Sequence, residues 1–211
     1  MTTATQRTRK TMDIHKIALG VIVLAAMALL LQQGCSGSKP SRFYVLSPLA
    51  LEEGVEKDIS VGIGPLRFPD YLLRPQIAIQ TNANRLDYAE YDRWAEPLDE
   101  NFARILASNL ASLIPSDKVH VYPWLETLNL HYQMLVRVRR FGQTEDGQVV
   151  LNVSWSILDE NTRENLVQRY TSFGRPAPAG ETTDYTAVAA AMSELLGEFS
   201  REAAQALREL K

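Results

Sequence analysis

Metal-binding and disulfide-forming side chains are scarce in this chain of 211 residues, which contains one cysteine and three histidines. A single cysteine cannot form a disulfide within the chain, so no such bond stabilises the fold. His120 and His131 have no second His, Cys or Glu at the spacing that metal ligands require. We therefore predict no metal site, and we interpret both histidines as ordinary strand residues rather than as general bases.

The sequence also lacks the motifs of the common nucleotide-binding and hydrolytic sites. There is no Gly-x-Ser-x-Gly turn for a serine nucleophile and no Gly-Lys-Ser loop for a phosphate. Gly62-Ile-Gly64 begins like a dinucleotide fingerprint, but Pro65 follows it and Arg67 takes the place of the third glycine. These absences predict a protein that is not an enzyme and needs no cofactor.

A carboxylate-rich stretch from Asp87 to Glu100 is the one segment that suggests acid–base chemistry. Two carboxylates held close together serve as acid and base in glycoside hydrolases. The simpler interpretation is a solvated edge strand followed by the start of a helix, where acidic side chains favour the positive end of the helix dipole. We prefer this second interpretation and keep an exported enzyme as the alternative.

The chain has no excess of basic residues, since 22 Lys and Arg against 25 Asp and Glu give a formal net charge of −3 at pH 7. A mildly acidic chain is a poor match for nucleic acid, and equally for attachment to anionic lipid by charge alone. We therefore predict no nucleic acid partner. Any attachment to a membrane must come from another feature of the sequence.

That feature is a long apolar run, Ile17 to Leu31, which ends shortly before Gly34 and Cys35. A run of about 15 residues, about 22 Å as a helix, is shorter than the roughly 20 residues that cross a bilayer. Four basic residues precede it: Arg7, Arg9, Lys10 and Lys16. A basic region, an apolar region and a small residue at the cleavage site are typical of a secretory signal peptide, which we assign to residues 1–34.

Cys35, directly after this segment, predicts a bacterial lipoprotein that carries covalent diacylglycerol on the thiol and an N-acyl chain, such as palmitate, on the new N-terminus. Gln32 and Gln33 depart from the residues usual before such a cysteine. The alternative is therefore an uncleaved signal anchor in the inner membrane. Small polar residues follow, so we assign residues 35–41 to the lipidated cysteine and a flexible tether, and residues 42–211 to the folded domain.

The folded domain mixes strand and helix patterns. Apolar residues alternate with polar ones over 128–138 and 149–157, and with 165–173 these segments predict an antiparallel meander. Apolar residues spaced by threes and fours predict one helix after Pro97 and another of about 25 residues, capped by Thr182 or Thr183. Further strands are predicted at 42–47, 59–64, 76–80, 85–91 and 118–122. This order predicts an α+β fold, a two-layer sandwich of a mainly antiparallel sheet with two main helices.

Local backbone features are predicted where glycine and proline concentrate. Gly62 and Gly64 indicate a close approach of the backbone or a bend. Pro65, Pro69 and Pro75 exclude a helix through residues 66–74. The segments 76–80 and 85–91, separated by a short polar turn, predict a hairpin.

Two kinds of surface feature are candidates for binding. A basic patch comprises Arg137, Arg139 and Arg140. It either contacts lipid headgroups or an acidic partner, or only protects a sheet face or edge from aggregation. The segments 68–75 and 93–97 carry aromatic and arginine side chains, which are common anchors of protein interfaces. The same aromatic side chains fit the core beneath the sheet equally well.

These two segments belong to longer blocks. The first block is Ile63-Gly-Pro-Leu-Arg-Phe-Pro-Asp-Tyr-Leu-Leu-Arg-Pro-Gln-Ile77. The second is Arg93-Trp-Ala-Glu-Pro-Leu98, followed by Phe102-Ala-Arg-Ile-Leu-Ala-Ser-Asn-Leu110. Together with Phe43-Tyr-Val-Leu46, the blocks resemble the ABC-type transport auxiliary lipoprotein family in order and spacing, and the resemblance covers the whole domain, residues 42–211.

The resemblance implies a non-enzymatic subunit of an intermembrane lipid transport system that contains an MCE-domain protein and associated inner-membrane components. It implies a lipoprotein on the periplasmic face of the outer membrane that docks the conduit and supports membrane integrity. Ser36, rather than Asp, follows the cysteine and favours sorting to the outer membrane. The candidate partner surface comprises Tyr71, Arg74, Pro75, Arg93, Trp94 and Glu96.

Two further hypotheses accompany this interpretation. In the first, the protein is a periplasmic lipid-binding carrier whose sheet holds an acyl chain. In the second, several copies assemble into a homo-oligomer.

Overall fold

The computed structural model describes residues 19, 39–48, 58–124, 128–176 and 183–210. The chain divides into Met1–Pro40 and a compact domain, Ser41–Lys211. The predicted cleavage site, with Gly34 and Cys35, lies outside the described residues. Within the described ranges, no helix combines the length and the apolar composition that a membrane span requires.

The domain contains eight strands, two α-helices and one short 3-10 helix among its described residues. The order along the chain is β1 (Arg42–Tyr44), β2 (Val61–Arg67), the 3-10 helix (Asp70–Leu72), β3 (Gln76–Asn82), β4 (Arg85–Trp94), α1 (Leu98–Leu113), β5 (Val119–Val121), β6 (Tyr132–Gln143), β7 (Gln148–Asp159), β8 (Asn165–Pro176) and α2 (Tyr185–Glu209).

All eight strands belong to one mixed sheet. The meander β6–β7–β8 is antiparallel along almost its full length, and β3 and β4 form an antiparallel hairpin, so both predictions are confirmed. The pairs β1–β4, β2–β5, β2–β6 and β3–β6 are parallel. Strand β6 is therefore the centre of the sheet, because it pairs with β7, β2 and β3.

Both helices cover one face of this sheet, which confirms the predicted two-layer α+β sandwich. The strands alternate as predicted, so that one face of β6 and β7 carries fully buried apolar side chains. Phe102 of α1 packs against Phe141 of β6, and Phe199 of α2 packs against Trp155 of β7, with ring centroids 5.5 and 5.8 Å apart. Phe102 and Phe199 also contact each other at 6.3 Å. These aromatic contacts join both helices and the sheet in one core.

Strand β2 bends at Gly64, as the glycine pattern predicts. Its φ of 117° is unfavourable for residues with a side chain, and the register with β6 shifts between Ile63 and Leu66. At Gly62 the backbone is closely approached, since an added Cβ would lie 2.5 Å from Leu130 Cδ1. The bend also explains why Gln133, on the polar face of β6, is buried: its Nε2 donates to Gly64 O at 2.9 Å.

Several predicted boundaries need correction. β2 continues through Pro65 to Arg67, because the proline lies in the irregular part of the strand and needs no ladder partner there. β6 begins at Tyr132, four residues later than its apolar alternation suggests. A 3-10 helix, Asp70–Leu72, interrupts the segment predicted to be free of helix, since Pro69 fits the position before a first turn. Asp184, rather than a threonine, caps α2.

Candidate functional site

The start of the domain contacts the sheet through β1 and contacts both helices through the residues that follow β1. Arg42 Nε and Nη2 donate to the two carboxylate oxygens of Asp92 at 2.7 and 3.0 Å, and Tyr44 Oη donates to Oδ1 at 2.7 Å. Beyond the strand, Leu46 N donates to Asn101 Oδ1 at 2.6 Å, and Ser47 N donates to Ser193 Oγ at 3.1 Å. The segment that follows the predicted tether is therefore held at several points.

Asp92 is the charged centre of this attachment and is only 4% exposed. Burial raises the pKa of Asp92, but hydrogen bonds from Arg42 and Tyr44 and the charge of Arg42 outweigh that effect, so its pKa lies below the ordinary value. Burial, followed by the hydrogen bond to Asp92, raises the pKa of Tyr44. The arrangement keeps the carboxylate ionised and ties it to β1, which indicates a structural role.

Three of the predicted partner-surface residues lie close to one another beside the 3-10 helix. The Arg74 guanidinium lies over the ring of Tyr88 at 4.9 Å, and Tyr88 Oη donates to the carbonyl of Tyr71 at 3.5 Å. Arg74 and Pro75 are exposed, Tyr71 is partly buried, and neighbouring Leu73 is 45% exposed. This region presents apolar and cationic groups side by side on an ordered turn.

The second predicted segment divides between core and surface. Trp94 is 5% exposed and belongs to the core, while its backbone N donates to Pro75 O at 2.7 Å. Its buried ring offers a partner almost no surface, so we leave it out of the partner surface. Arg93 is partly buried, and Glu96 forms an ion pair with Arg104 of α1. The backbone contact nevertheless places the two sequence blocks next to each other.

The carboxylates of the acidic stretch are directed to different partners. Asp87 pairs with Arg85 at 3.0 Å, Asp92 with Arg42, and Glu96 with Arg104. Asp99 and Glu100 lie in the first turn of α1, as predicted. Within the part of the chain that the structure describes, the predicted helix start is confirmed, but the predicted solvated edge strand is wrong at Asp92, which is buried where β4 lies between β1 and β3.

The two domain histidines have ordinary structural surroundings. His131 Nδ1 accepts from Ser60 N at 2.9 Å and lies 2.9 Å from Ser60 Oγ, so it holds the start of β2. His120 is partly buried in β5, opposite Gly62. No group of three or more His, Cys, Asp or Glu side chains suited to a metal ion occurs among the described residues.

The face of the sheet opposite the helices carries a groove with a basic lining. Arg67 of β2, Arg137 of β6, Ser154 of β7 and Tyr170 of β8 are consecutive register partners, so they form one row across four strands. The groove has a volume of about 840 Å³. It is lined by Pro65, Arg67, Leu135, Val136, Arg137, Arg139, Ser154, Trp155, Ser156, Asn165, Gln168, Arg169 and Tyr170. We call this site the arginine groove.

Arg139 lies on the same face as Arg137, two residues further along β6, and an irregularity of the strand exposes Arg140 as well. The register shifts between Val138 and Arg140, so Arg139 and Arg140 are both exposed although they are consecutive. Arg139 Nε donates to Ser154 Oγ at 3.0 Å, and its guanidinium lies over the ring of Tyr170 at 5.5 Å. Tyr170 is 60% exposed. The groove therefore combines three arginines, of which Arg139 is held by side-chain contacts, with a hydroxyl and an accessible ring.

Sequence reasoning identifies part of the arginine groove. The predicted basic patch contains Arg137 and Arg139, which the structure places in the groove, and Arg140, which instead contacts Gln80. Arg67 and Tyr170 were missed, because only the pairing of β2 with β6 and of β7 with β8 brings them into the same row. The polar alternation of β8 was the available signal for Tyr170.

Comparisons with known proteins agree with this architecture. Residues 44–204 match the family described as the ABC-type transport auxiliary lipoprotein component. Intermembrane transport lipoprotein PqiC of Escherichia coli strain K12 is 27% identical over 154 residues, which cover 69% of this chain and 77% of that protein. PqiC of Shigella flexneri matches with the same identity and coverage.

Solved structures share the fold. Protein XCC0632 from Xanthomonas campestris superposes with a TM-score of 0.63 at 16% identity, covering 78% of this chain and 93% of that one. The crystal structure of an uncharacterized protein superposes with a TM-score of 0.61 at 20% identity, covering 82% of this chain and all of that one. Since the family match extends over most of the domain, the chain belongs to the ABC-type transport auxiliary lipoproteins.

Proposed function

We propose that this chain is the non-enzymatic, periplasm-facing lipoprotein subunit of an MCE-type intermembrane lipid transport system. The observation that carries the proposal is the family match over residues 44–204, together with relatives named as intermembrane transport lipoproteins. In this proposal the domain docks the conduit formed by an MCE-domain protein at the outer membrane and so supports membrane integrity. Homo-oligomer formation stays a prediction.

The proposed anchor is Cys35, cleaved from its leader after Gly34 and carrying diacylglycerol and an N-acyl chain. More than one acyl chain is needed for stable attachment, because a single chain binds a membrane only reversibly. Ser36 after the cysteine supports the outer membrane as the destination. The attachment of β1 to Asp92, and of the residues just after β1 to Asn101 and Ser193, supports this arrangement, since it holds the start of the domain directly beyond the tether.

The proposed docking surface is the turn that carries Tyr71, Arg74 and Pro75, with Arg93 and Glu96 nearby. Exposed Leu73 and the Arg74–Tyr88 stack support this choice, because an ordered turn with apolar and cationic groups loses little entropy on binding. The alternative function, a carrier whose sheet holds an acyl chain, has no room for that chain between sheet and helices, since Phe102, Phe141 and Phe199 fill this space. Native mass spectrometry of the purified protein would detect lipid in such a carrier.

The proposal is tested by deleting the gene in its own bacterium and measuring growth in dodecyl sulfate. We expect the deletion to sensitise the cells, and the wild-type gene to restore resistance. A Leu73→Glu/Arg74→Glu gene should fail to restore resistance at equal protein level, whereas Arg201→Glu, an exposed change on α2, should succeed. Full resistance in the deletion strain would contradict the proposal.

A further inference from the structure

The arginine groove concentrates positive charge in a chain that is acidic overall. Arg67 and Arg137 are paired in register on neighbouring strands, which lie about 4.8 Å apart. Like charges at directly opposed positions destabilise a sheet. Among the described residues, Arg67, Arg137 and Arg139 form no salt bridge, and no carboxylate lines the groove. This charge pattern indicates an anion as the natural occupant.

The side chains favour a phosphate over a single carboxylate. Guanidinium groups bind phosphate through two parallel N–H donors, and the arginines here approach the site from two strands. Ser154 adds a hydroxyl on the next strand beside Arg137, and Arg139 is held in position by that hydroxyl and by the Tyr170 ring. A phosphate has enough oxygen atoms to accept from all of these groups at once.

The dimensions of the site accommodate a ligand larger than inorganic phosphate. The volume of about 840 Å³ falls in the range of pockets that hold whole organic ligands, roughly 300–1,000 Å³. Pro65 and Leu135 give part of the wall an apolar character. The same three arginines also border a second hollow of about 500 Å³, which Phe68, Pro69 and Val138 complete. The cations therefore lie between apolar walls on either side.

We propose that the arginine groove binds the phosphate headgroup of an anionic phospholipid, with the glycerol and the first carbons of the acyl chains against these apolar walls. The choice of a lipid over another phosphate ester rests on the proposed function in lipid transport. The groove lies on the outer face of the sheet, away from the filled core, and it holds the headgroup, whereas the alternative carrier holds an acyl chain.

The test is calorimetric titration of the full-length protein, purified in a neutral detergent, with short-chain dihexanoyl phosphatidylglycerol. We expect saturable binding, and a loss of affinity of about tenfold or more in Arg137→Gln/Arg139→Gln, because two charged hydrogen-bonding groups are removed. Arg85→Gln/Arg201→Gln removes the same charge at exposed positions elsewhere and should leave the affinity unchanged. A circular dichroism spectrum like that of wild type and a cooperative thermal melt show that the groove variant is folded.

Three other ligands test whether the groove prefers an anionic lipid to a zwitterionic lipid, to free phosphate or to an acidic polypeptide. Dihexanoyl phosphatidylcholine should bind more weakly than phosphatidylglycerol, because its choline group is repelled by the arginines. Inorganic phosphate that binds as tightly as the lipid would overturn the assignment to a lipid. Polyglutamate that binds more tightly would assign the groove to an acidic protein segment instead. Lipid binding that is equal in the groove variant and the wild type would overturn the site itself. No partner protein takes part, so these outcomes do not depend on the docking proposal.

Discussion

At the scale of single residues, Asp92 links the stability of the domain to pH. Its pKa is lower in the folded state than the ordinary value of about 3.9, so the ionised carboxylate stabilises the fold above that pH. This contribution is lost as the pH falls through the folded pKa. We expect Asp92→Asn to lose about 1–3 kcal/mol of unfolding free energy at pH 7 and to show a weaker dependence on pH below about 4.

Thermal unfolding followed by circular dichroism between pH 7 and pH 3 measures this difference. Asp117→Asn, which changes an exposed side chain in a turn, is the control and should keep the pH dependence of the wild type. If Asp92→Asn and the wild type lost stability in parallel down to pH 3, Asp92 would not be the linked group.

Phe102 connects three other rings of the aromatic core. It is fully buried and its ring lies 5.3, 5.5 and 6.3 Å from the rings of Phe68, Phe141 and Phe199. Phe102→Ala should cost about 3–5 kcal/mol in unfolding free energy, because it removes buried area and leaves a cavity. Phe43→Ala, at a side chain that is 64% exposed, should change the chemical denaturation midpoint very little. Similar midpoints for both variants would refute this view of the core.

At the scale of elements, the N-terminus of α2 depends on one cap. Asp184 Oδ1 accepts from Thr186 N at 2.9 Å and from Ala187 N at 3.3 Å. Asp184→Ala should lower the unfolding free energy by about 1 kcal/mol, whereas Asp184→Asn keeps an acceptor and should lose less. Urea denaturation provides the measurement, with Thr183→Ala as the control. If Thr183→Ala and Asp184→Ala lowered the unfolding free energy equally, the cap would be assigned to the threonine instead.

The same elements show what a sequence reveals. Alternation identifies β7 because Val149, Val153 and Ile157 face the core at every second position. The two helices could likewise be predicted from the sequence, because the spacing of their apolar residues places these residues on one buried face. The parallel pairings of β6 with β2 and β3 could not be predicted, because nothing local in a strand specifies a partner that is distant in the chain. The arginine groove depends on those pairings, so only Arg137 and Arg139 could be anticipated.

At the scale of the whole molecule, the proposed function depends on attachment to a membrane. If Cys35 is the lipidated residue, Cys35→Ala should release the protein into the periplasm or leave it on an uncleaved leader at the inner membrane. Density-gradient fractionation of the envelope, with blotting for the protein, distinguishes these outcomes. A Cys35→Ala protein that still sediments with the outer membrane would show that partner contacts, rather than acyl chains, hold it there.

In the proposed function, the domain docks an MCE-domain transport protein. The most direct measurement is affinity purification of the full-length tagged protein from detergent-solubilised envelopes of its own bacterium, with quantitative mass spectrometry. We predict strong enrichment of an MCE-domain protein, reduced by Leu73→Glu/Arg74→Glu and unchanged by Arg201→Glu. Recovery of the tagged protein without any enriched MCE-domain protein would contradict the account.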